Sequence, residues 1–178
     1  MKREKPNGAF NLFFLADRAV IPTSGKTPSR YTVSIEPVQV FDWHDKAALA
    51  AAIEKQLAIG IPQIPELNDK ELIFDQDGQP NGLKNPVEPN YAGVSTWDEL
   101  ERKSIYFSVQ RFPSGYLVDS WKRAADGKWS EEQSLELRLP ASVGVSGLVD
   151  AIWAHLQTRK DLPGVVTDIN QPKTARGA

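Results

Sequence analysis

The side chains that most often carry out catalysis are scarce in this sequence. Histidine occurs only as His44 and His155, and cysteine is absent. A Ser–His–acid triad needs a histidine beside its nucleophile, while disulfides, thiolate chemistry and cysteine-based zinc sites need cysteine. Both histidines fall near the ends of predicted helices, which favours a structural or surface role. We therefore expect no catalytic residue, no cofactor and no metal site.

A small metal-dependent nuclease is the alternative enzyme that the sequence leaves open. Glu101 and Lys103 form the E-x-K half of such a motif, with Asp75 or Asp77 as upstream carboxylates. Two carboxylates can hold Mg²⁺ while the lysine stabilises the developing charge. The motif lies at the end of a predicted helix and not on a strand hairpin, so a solvated helix end is the simpler interpretation.

Acidic residues are concentrated between Glu66 and Glu101. This stretch holds nine of the chain's 23 acids but only Lys70 and Lys84 as bases, so its net charge is −7 against −2 for the whole chain. A strongly acidic face repels phosphate backbones, which argues against direct nucleic-acid binding. The same face would speed the association of a basic protein partner. A solvated loop that keeps the protein soluble is the alternative.

Seven residues of this stretch are the candidate partner-binding residues. Trp97 lies at a predicted helix start beside the acidic segment, and an aromatic ring among acids is typical of an anchor for a basic partner. The ring could instead fasten its helix to the sheet. The predicted set is Asp69, Glu71, Asp75, Asp77, Trp97, Asp98 and Glu99.

Apolar residues recur every three or four positions in two segments, which predicts two main amphipathic helices. Asp42 is expected to cap the first helix and Gly60 to end it. The capping box Thr96-Trp97-Asp98-Glu99 predicts a short helix between the two. The predicted helices lie between Asp42 and Gly60, from Thr96 to about Arg102, and from about Ser146 to Gln157.

Five strands are predicted from their apolar character or from alternating apolar and polar residues. Short loops join the last three, which forces an antiparallel meander. Pro37 places its strand at a sheet edge or at a bulge. The stretch from Ile21 to Arg30 is predicted to be a loop. The predicted strands are Phe10–Leu15, Tyr31–Val40, Ser104–Arg111, Tyr116–Arg123 and Lys128–Leu139.

These elements predict an α+β fold: an antiparallel sheet of about five strands with a C-terminal three-stranded meander, packed against two main helices. Residues 61–96 contain five prolines and three glycines, and only Leu72–Phe74 is predicted as a strand among them. Long irregular segments of this kind tend to be functional or mobile. One domain is expected over residues 1–160, with residues 161–178 a flexible C-terminal tail.

The sequence shows no predicted membrane segment or export signal. The longest apolar runs, such as Leu12–Ala16, are far shorter than the roughly 20 residues that cross a bilayer. No apolar stretch with a small-residue cleavage site follows the charged N-terminus. We therefore expect a cytoplasmic protein with no membrane contact.

The stretches 92–107 and 115–121 resemble immunity proteins of bacterial contact-dependent growth inhibition systems. The helix entry Trp97-Asp98-Glu99-Leu100, the aromatic strand behind it and Trp121 carry this resemblance, which covers roughly residues 92–158. It implies a cytoplasmic, non-enzymatic protein that binds and neutralises the C-terminal toxin domain of a matching effector. Many such toxins are basic nucleases, so an acidic partner-binding face is expected.

The sequence leads to three alternative hypotheses about the function of the protein. The first is an immunity protein that binds a basic toxin domain through its acidic face. The second is a small metal-dependent nuclease or hydrolase that uses Asp75, Asp77, Glu101 and Lys103. The third is an adaptor subunit of a larger assembly, with residues 61–96 as its docking surface. A toxin gene directly beside the gene for this protein would favour the first.

Overall fold

A six-stranded antiparallel sheet is the centre of the computed structural model, which describes residues 4–161. The predicted α+β class, with an antiparallel sheet packed against helices, is confirmed, and the C-terminal meander is part of this sheet. β1 pairs with β6 along its whole length and so joins the two halves of the chain. In spatial order the strands are β3 (Thr32–Phe41), β2 (Ala19–Lys26), β1 (Gly8–Phe14), β6 (Ile105–Phe112), β7 (Gly115–Arg123) and β8 (Trp129–Pro140).

Four α-helices and a separate hairpin complete the part of the chain that the structure describes. The hairpin strand β5 was not predicted, because proline, asparagine and glycine are depleted in strands. The helices are α1 (Lys46–Ile59), α2 (Glu88–Ala92), α3 (Trp97–Lys103) and α4 (Gly144–Thr158), and the hairpin strands are β4 (Leu72–Phe74) and β5 (Pro80–Leu83).

Apolar residues are buried on both faces of the sheet. The first core lies under α1 and α4, where Leu12, Phe107 and Ile152 are fully buried. The second core lies on the opposite face, where Phe13 packs with Leu100 of α3. Residues next to each other in a strand point to opposite faces, so β1 supplies both cores. The two main helices predicted from the sequence therefore cover only one face of the sheet. A thinner layer built from α2, α3 and their connections covers the other face.

The segment predicted as a loop between Ile21 and Arg30 is largely strand β2, so this prediction was wrong. Its small residues serve close packing: a Cβ at Gly25 would lie 2.8 Å from Cδ1 of Ile35. The Thr23 hydroxyl donates to the Pro37 carbonyl oxygen at 2.7 Å. The proline, serine and glycine of this segment are thus typical of a loop in sequence, yet they form a buried strand. The edge position predicted for β3 is confirmed, and the β2–β3 register shifts beside Pro22.

The N-cap of α1 is Asp45 and not Asp42. Oδ1 of Asp45 accepts hydrogen bonds from the backbone N–H groups of Ala47 and Ala48, as an N-cap does. Asp42 accepts instead from the backbone N–H of His44, which precedes the helix. Both aspartates fit the sequence pattern, and only the backbone geometry separates them. The predicted end of the helix at Gly60 is confirmed.

The end of the described chain is attached to the sheet. Arg159 is buried and donates to the hydroxyls of Ser120 and Ser134 at 3.1 Å each. Its guanidinium also binds Asp161 at 2.6 Å, and this hydrogen bond lowers the pKa of that carboxyl. Asp161 was assigned to the flexible tail, and the structure holds it by this ion pair. The rest of the predicted tail, residues 162–178, lies outside the described residues.

The depth of the first core gives a stability prediction. Ile152→Ala should lower the free energy of unfolding by about 2–5 kcal/mol, because Ile152 is fully buried and alanine leaves a cavity. Leu137→Ala should cost less, because Leu137 is only partly buried at the border of the same core. Denaturant titrations measure both values. Equal losses, or an Ile152→Ala loss below that of Leu137→Ala, would contradict this assignment of the core.

Candidate functional site

A cleft of about 620 Å³ lies where the β4–β5 hairpin, β3, α2 and the start of α3 meet. Cavities of roughly 300–1,000 Å³ are typical of ligand sites. The wall combines apolar, amide and charged side chains, and it brings residues of β1 and β3 beside residues of the long irregular segment. The residues that matter below include Asn11, Ser34, Ile73, Lys84, Glu88 and Trp97.

Asp75 holds the turn of the hairpin together. Its Oδ1 accepts hydrogen bonds from the backbone N–H groups of Asp77 at 2.9 Å and Gln79 at 2.8 Å. Gly78 has a φ of +74°, a left-handed conformation that glycine adopts without steric cost. Asp75 is therefore a turn-forming residue, in addition to its predicted role toward a partner.

The acids in and just before the hairpin are exposed. Within residues 4–161, none of Asp69, Glu71, Asp75 and Asp77 forms an ion pair. The segment 66–84 holds five acids against two lysines, a net charge of −3. These four predicted residues thus form an exposed negative surface, which we call the hairpin acids.

The acids of α3 are, by contrast, compensated. Asp98 binds Arg102 at 3.1 Å and also pairs with Lys128, whose hydrogen bond is the largest cause of the lowered pKa of Asp98. Glu99 binds Lys103 at 2.5 Å, which lowers the pKa of Glu99. The stretch with a net charge of −7 ends just before Arg102 and Lys103, and Lys128 comes from a distant part of the sequence. Asp98 and Glu99 therefore add less to the negative surface than predicted.

The predicted start of α3 is confirmed. The Thr96 hydroxyl accepts from the backbone N–H of Glu99 at 3.1 Å, as in a capping box. The Glu99 carboxylate reaches back to the backbone N–H of Ser95 at 2.8 Å. Glu99 thus shapes the helix start beside the cleft, which gives this predicted residue a structural function.

Trp97 is packed on one side and exposed on the other. One side of its ring packs edge-on against Phe13 and Trp129, with centroid distances of 6.0 and 5.9 Å. The side chain is nevertheless 38% exposed and lines the cleft. The ring is therefore part of the second core on one side and available to a ligand on the other.

Glu88 is the residue of this site that sequence reasoning missed. It is only 3% exposed and lines the cleft, and its Oε2 has no hydrogen-bond partner in the described structure. Burial raises the pKa of this carboxyl, and the Ser34 hydroxyl opposes that shift in part. A glutamate before a proline in an irregular segment gives no sign of burial. Glu88 was counted only as one of nine acids.

The alternative nuclease residues are not brought together. Within residues 4–161, no group of three or more histidine, aspartate and glutamate side chains is placed to hold a metal ion. Asp75 and Asp77 lie on the hairpin, and Lys103 is held by Glu99.

Among residues 4–161, no helix is long and apolar enough to cross a membrane.

Both histidines make local contacts. His44 stacks on Trp43 with a centroid distance of 4.1 Å and hydrogen-bonds to Asp42. His155 lies edge-on to Phe107 and within 3.3 Å of the Ser134 hydroxyl. These contacts match the structural role expected for the two residues.

The overall architecture occurs in at least one solved structure. The chain is similar to "Protein of Unknown Function NMB0488 from Neisseria meningitidis", with a TM-score of 0.55 and 10% sequence identity over 90% of this chain and 99% of that chain. Neither a protein-family model nor a curated protein sequence matches the chain. At this identity the likeness supports the fold alone.

The buried carboxyl of Glu88 predicts a pH-dependent stability. Its folded-state pKa is raised by burial, so ionisation opposes folding once the pH exceeds 4.5, the ordinary value for glutamate. Glu88→Gln should therefore melt at a higher temperature than the parent at pH 7. The difference should disappear below pH 4.5, where the parent carboxyl is protonated in both states.

Thermal melts between pH 3 and 8 measure this effect. Glu54→Gln is the matched control, because Glu54 is exposed on α1. Its melting temperature should differ from that of the parent by the same amount at every pH. A Glu88→Gln protein that is less stable than the parent at pH 7 would show that hydrogen bonds such as that of the Ser34 hydroxyl stabilise the carboxylate by more than its burial costs.

Proposed function

We propose that this protein is an immunity protein that binds and neutralises a basic toxin domain of a contact-dependent growth inhibition system. The observation that carries the proposal is the combination of two features beside one cleft: the hairpin acids, which form no ion pair, and exposed apolar side chains. The resemblance of residues 92–121 to such immunity proteins agrees with it. The proposal includes a cytoplasmic location, where a delivered toxin domain would act.

The apolar side chains support a protein partner. Among the described residues, four large hydrophobic side chains are exposed, and three of them belong to this region: Ile73 at 46%, Phe74 at 43% and Trp97 at 38%. Ile73 and Trp97 line the same cleft. Aromatic and aliphatic anchors surrounded by charged groups are typical of protein interfaces. This arrangement favours binding over a merely solvated loop.

The charge supports a basic partner. The hairpin acids form no ion pair within the described residues, and the segment 66–84 keeps a net charge of −3, so their field is available to steer an approaching positive surface. A nuclease needs positive charge to bind phosphate backbones. An acidic protein that covers this charge would compete with the nucleic acid and block the toxin without any chemistry of its own.

The test is complex formation with a toxin domain encoded by a neighbouring gene. We expect the full chain to bind that domain and to protect cells that produce it. A neighbouring basic toxin domain that neither binds the chain nor loses its toxicity in its presence would overturn the proposal. Mg²⁺-dependent nucleic-acid cleavage by the purified chain, lost in Glu101→Ala, would favour the nuclease instead.

The hairpin acids should act mainly on association. Asp69→Lys combined with Asp77→Lys leaves the turn-forming Asp75 in place and should slow kon by about tenfold at low ionic strength and weaken its salt dependence, because exposed charges steer the encounter. Surface plasmon resonance at two salt concentrations measures both effects. Glu54→Lys combined with Glu131→Lys changes the net charge equally at sites away from the cleft. Equal slowing by both pairs would mean that only net charge matters.

Trp97 should act on dissociation. Trp97→Ala should raise koff by about 30-fold, or about 2 kcal/mol, as the loss of a buried aromatic anchor does. The same change also weakens the second core, so Trp129→Ala is the control: Trp129 packs in that core without lining the cleft. A similar rise in koff for both variants would assign the effect to the core and not to contact with the partner.

A further inference from the structure

The carboxylate oxygen Oε2 of Glu88, which has no partner, is the feature of the cleft that folding does not explain. A buried charge is unfavourable unless it is paired and hydrogen-bonded. Glu88 is 3% exposed, and the Ser34 hydroxyl beside it leaves Oε2 without a partner. Oε2 itself is buried, but the side chain lines an open cleft, so a rotation of the carboxyl toward the cleft would let another molecule supply the missing donor.

The rest of the lining indicates the kind of donor. Asn81, Asn85 and Asn90 line the cleft, and their side-chain amides form no hydrogen bond within the described residues. Asn11 also lines it, with its Oδ1 accepting from the Tyr106 hydroxyl at 3.0 Å. Amide oxygens on a cleft wall that Glu88 also lines can accept hydrogen bonds from a group that offers many N–H donors at once.

An arginine side chain meets these conditions best. Its guanidinium is planar, always charged and offers five N–H donors, two of which can bind one carboxylate side by side. Its flat face also stacks on aromatic rings, and the exposed ring of Trp97 lines the same cleft. A lysine ammonium has three donors and no plane to stack, so it would use less of this lining.

We propose that the cleft is a binding site for an arginine side chain of the protein partner, with the Glu88 carboxylate as its counter-ion and Trp97 as its stacking surface. The source of the arginine rests on the proposed function, because a basic toxin domain supplies such side chains. The other charged residue of the lining, Lys84, is exposed, so its ammonium remains solvated. The cleft thus provides a specific contact, while the hairpin acids provide the long-range attraction.

The chemistry of the cleft can be tested without the toxin. The probe is N-acetyl-arginine amide, titrated into the full chain and followed by NMR at the Trp97 indole and the asparagine side-chain amides. N-acetyl-citrulline amide has nearly the same shape without the charge and should bind at least tenfold more weakly. N-acetyl-lysine amide should also bind more weakly, because it cannot form the planar pair.

Variants locate the binding within the cleft. Glu88→Gln should weaken binding of the arginine probe at least tenfold while it keeps or raises the melting temperature at pH 7, which separates lost binding from lost folding. Asp77→Asn is the matched control, because it removes an exposed acid of the same segment outside the cleft, and it should change affinity less than twofold. Lys84→Ala should bind the probe no more weakly than the parent. Equal losses in Glu88→Gln and Asp77→Asn would overturn the site.

The same variants in the toxin complex separate this inference from the proposed function. If the complex forms but Glu88→Gln changes neither its affinity nor that of the probe, the arginine site is overturned and the immunity function stands. If the probe binds as expected but no toxin complex forms, the immunity function is overturned and the arginine site stands. A tenfold or larger rise in koff for Glu88→Gln in the complex supports both.

Discussion

The burial of β1 on both of its faces is the constraint on which the rest of the structure depends. Phe10, Leu12 and Phe14 point into one core, while Phe13 and Leu15 point into the other. The sheet must therefore be covered twice, because phenylalanine side chains left in water would not contribute their hydrophobic stabilisation. Two long helices cover the first face. The second face is covered by α2, α3 and the chain around them.

This second cover explains where the cleft is. Short elements bury only a few residues each, such as Ala92 of α2 and Leu100 of α3, and they cannot close a surface as a long helix does. The space between them and the hairpin remains open as the cleft. Glu88 and Trp97 are fixed at its wall because their own elements are anchored in the second core. A site of this kind is rigid where it meets the sheet and exposed where the hairpin begins.

The sequence predicts those elements whose signals are local. The alternation of Ile105, Phe107 and Val109 with polar residues predicts β6, and the capping box predicts α3. β2 was missed because Pro22 and Gly25 resemble loop residues, and the close packing at Gly25 involves neighbours such as Ile35, which come later in the chain. The site was predicted in part: Trp97 does line the cleft, whereas the burial of Glu88 and the pairing of Asp98 with Lys128 arise only through space.

Seven of the nine acidic residues between Glu66 and Glu101 consequently divide into three groups with different physical effects. Those of α3 stabilise their own helix, since Asp98 and Glu99 lie in its first turn and pair with bases four residues later. The hairpin acids contribute no ion pair to the described fold, and Glu88 opposes folding when it is ionised. A carboxylate that opposes folding gains most from a bound cation, because the cation removes a penalty that the free protein already carries. The proposed partner would therefore be attracted by the hairpin and held at Glu88, so the two charges act at successive stages of one binding event.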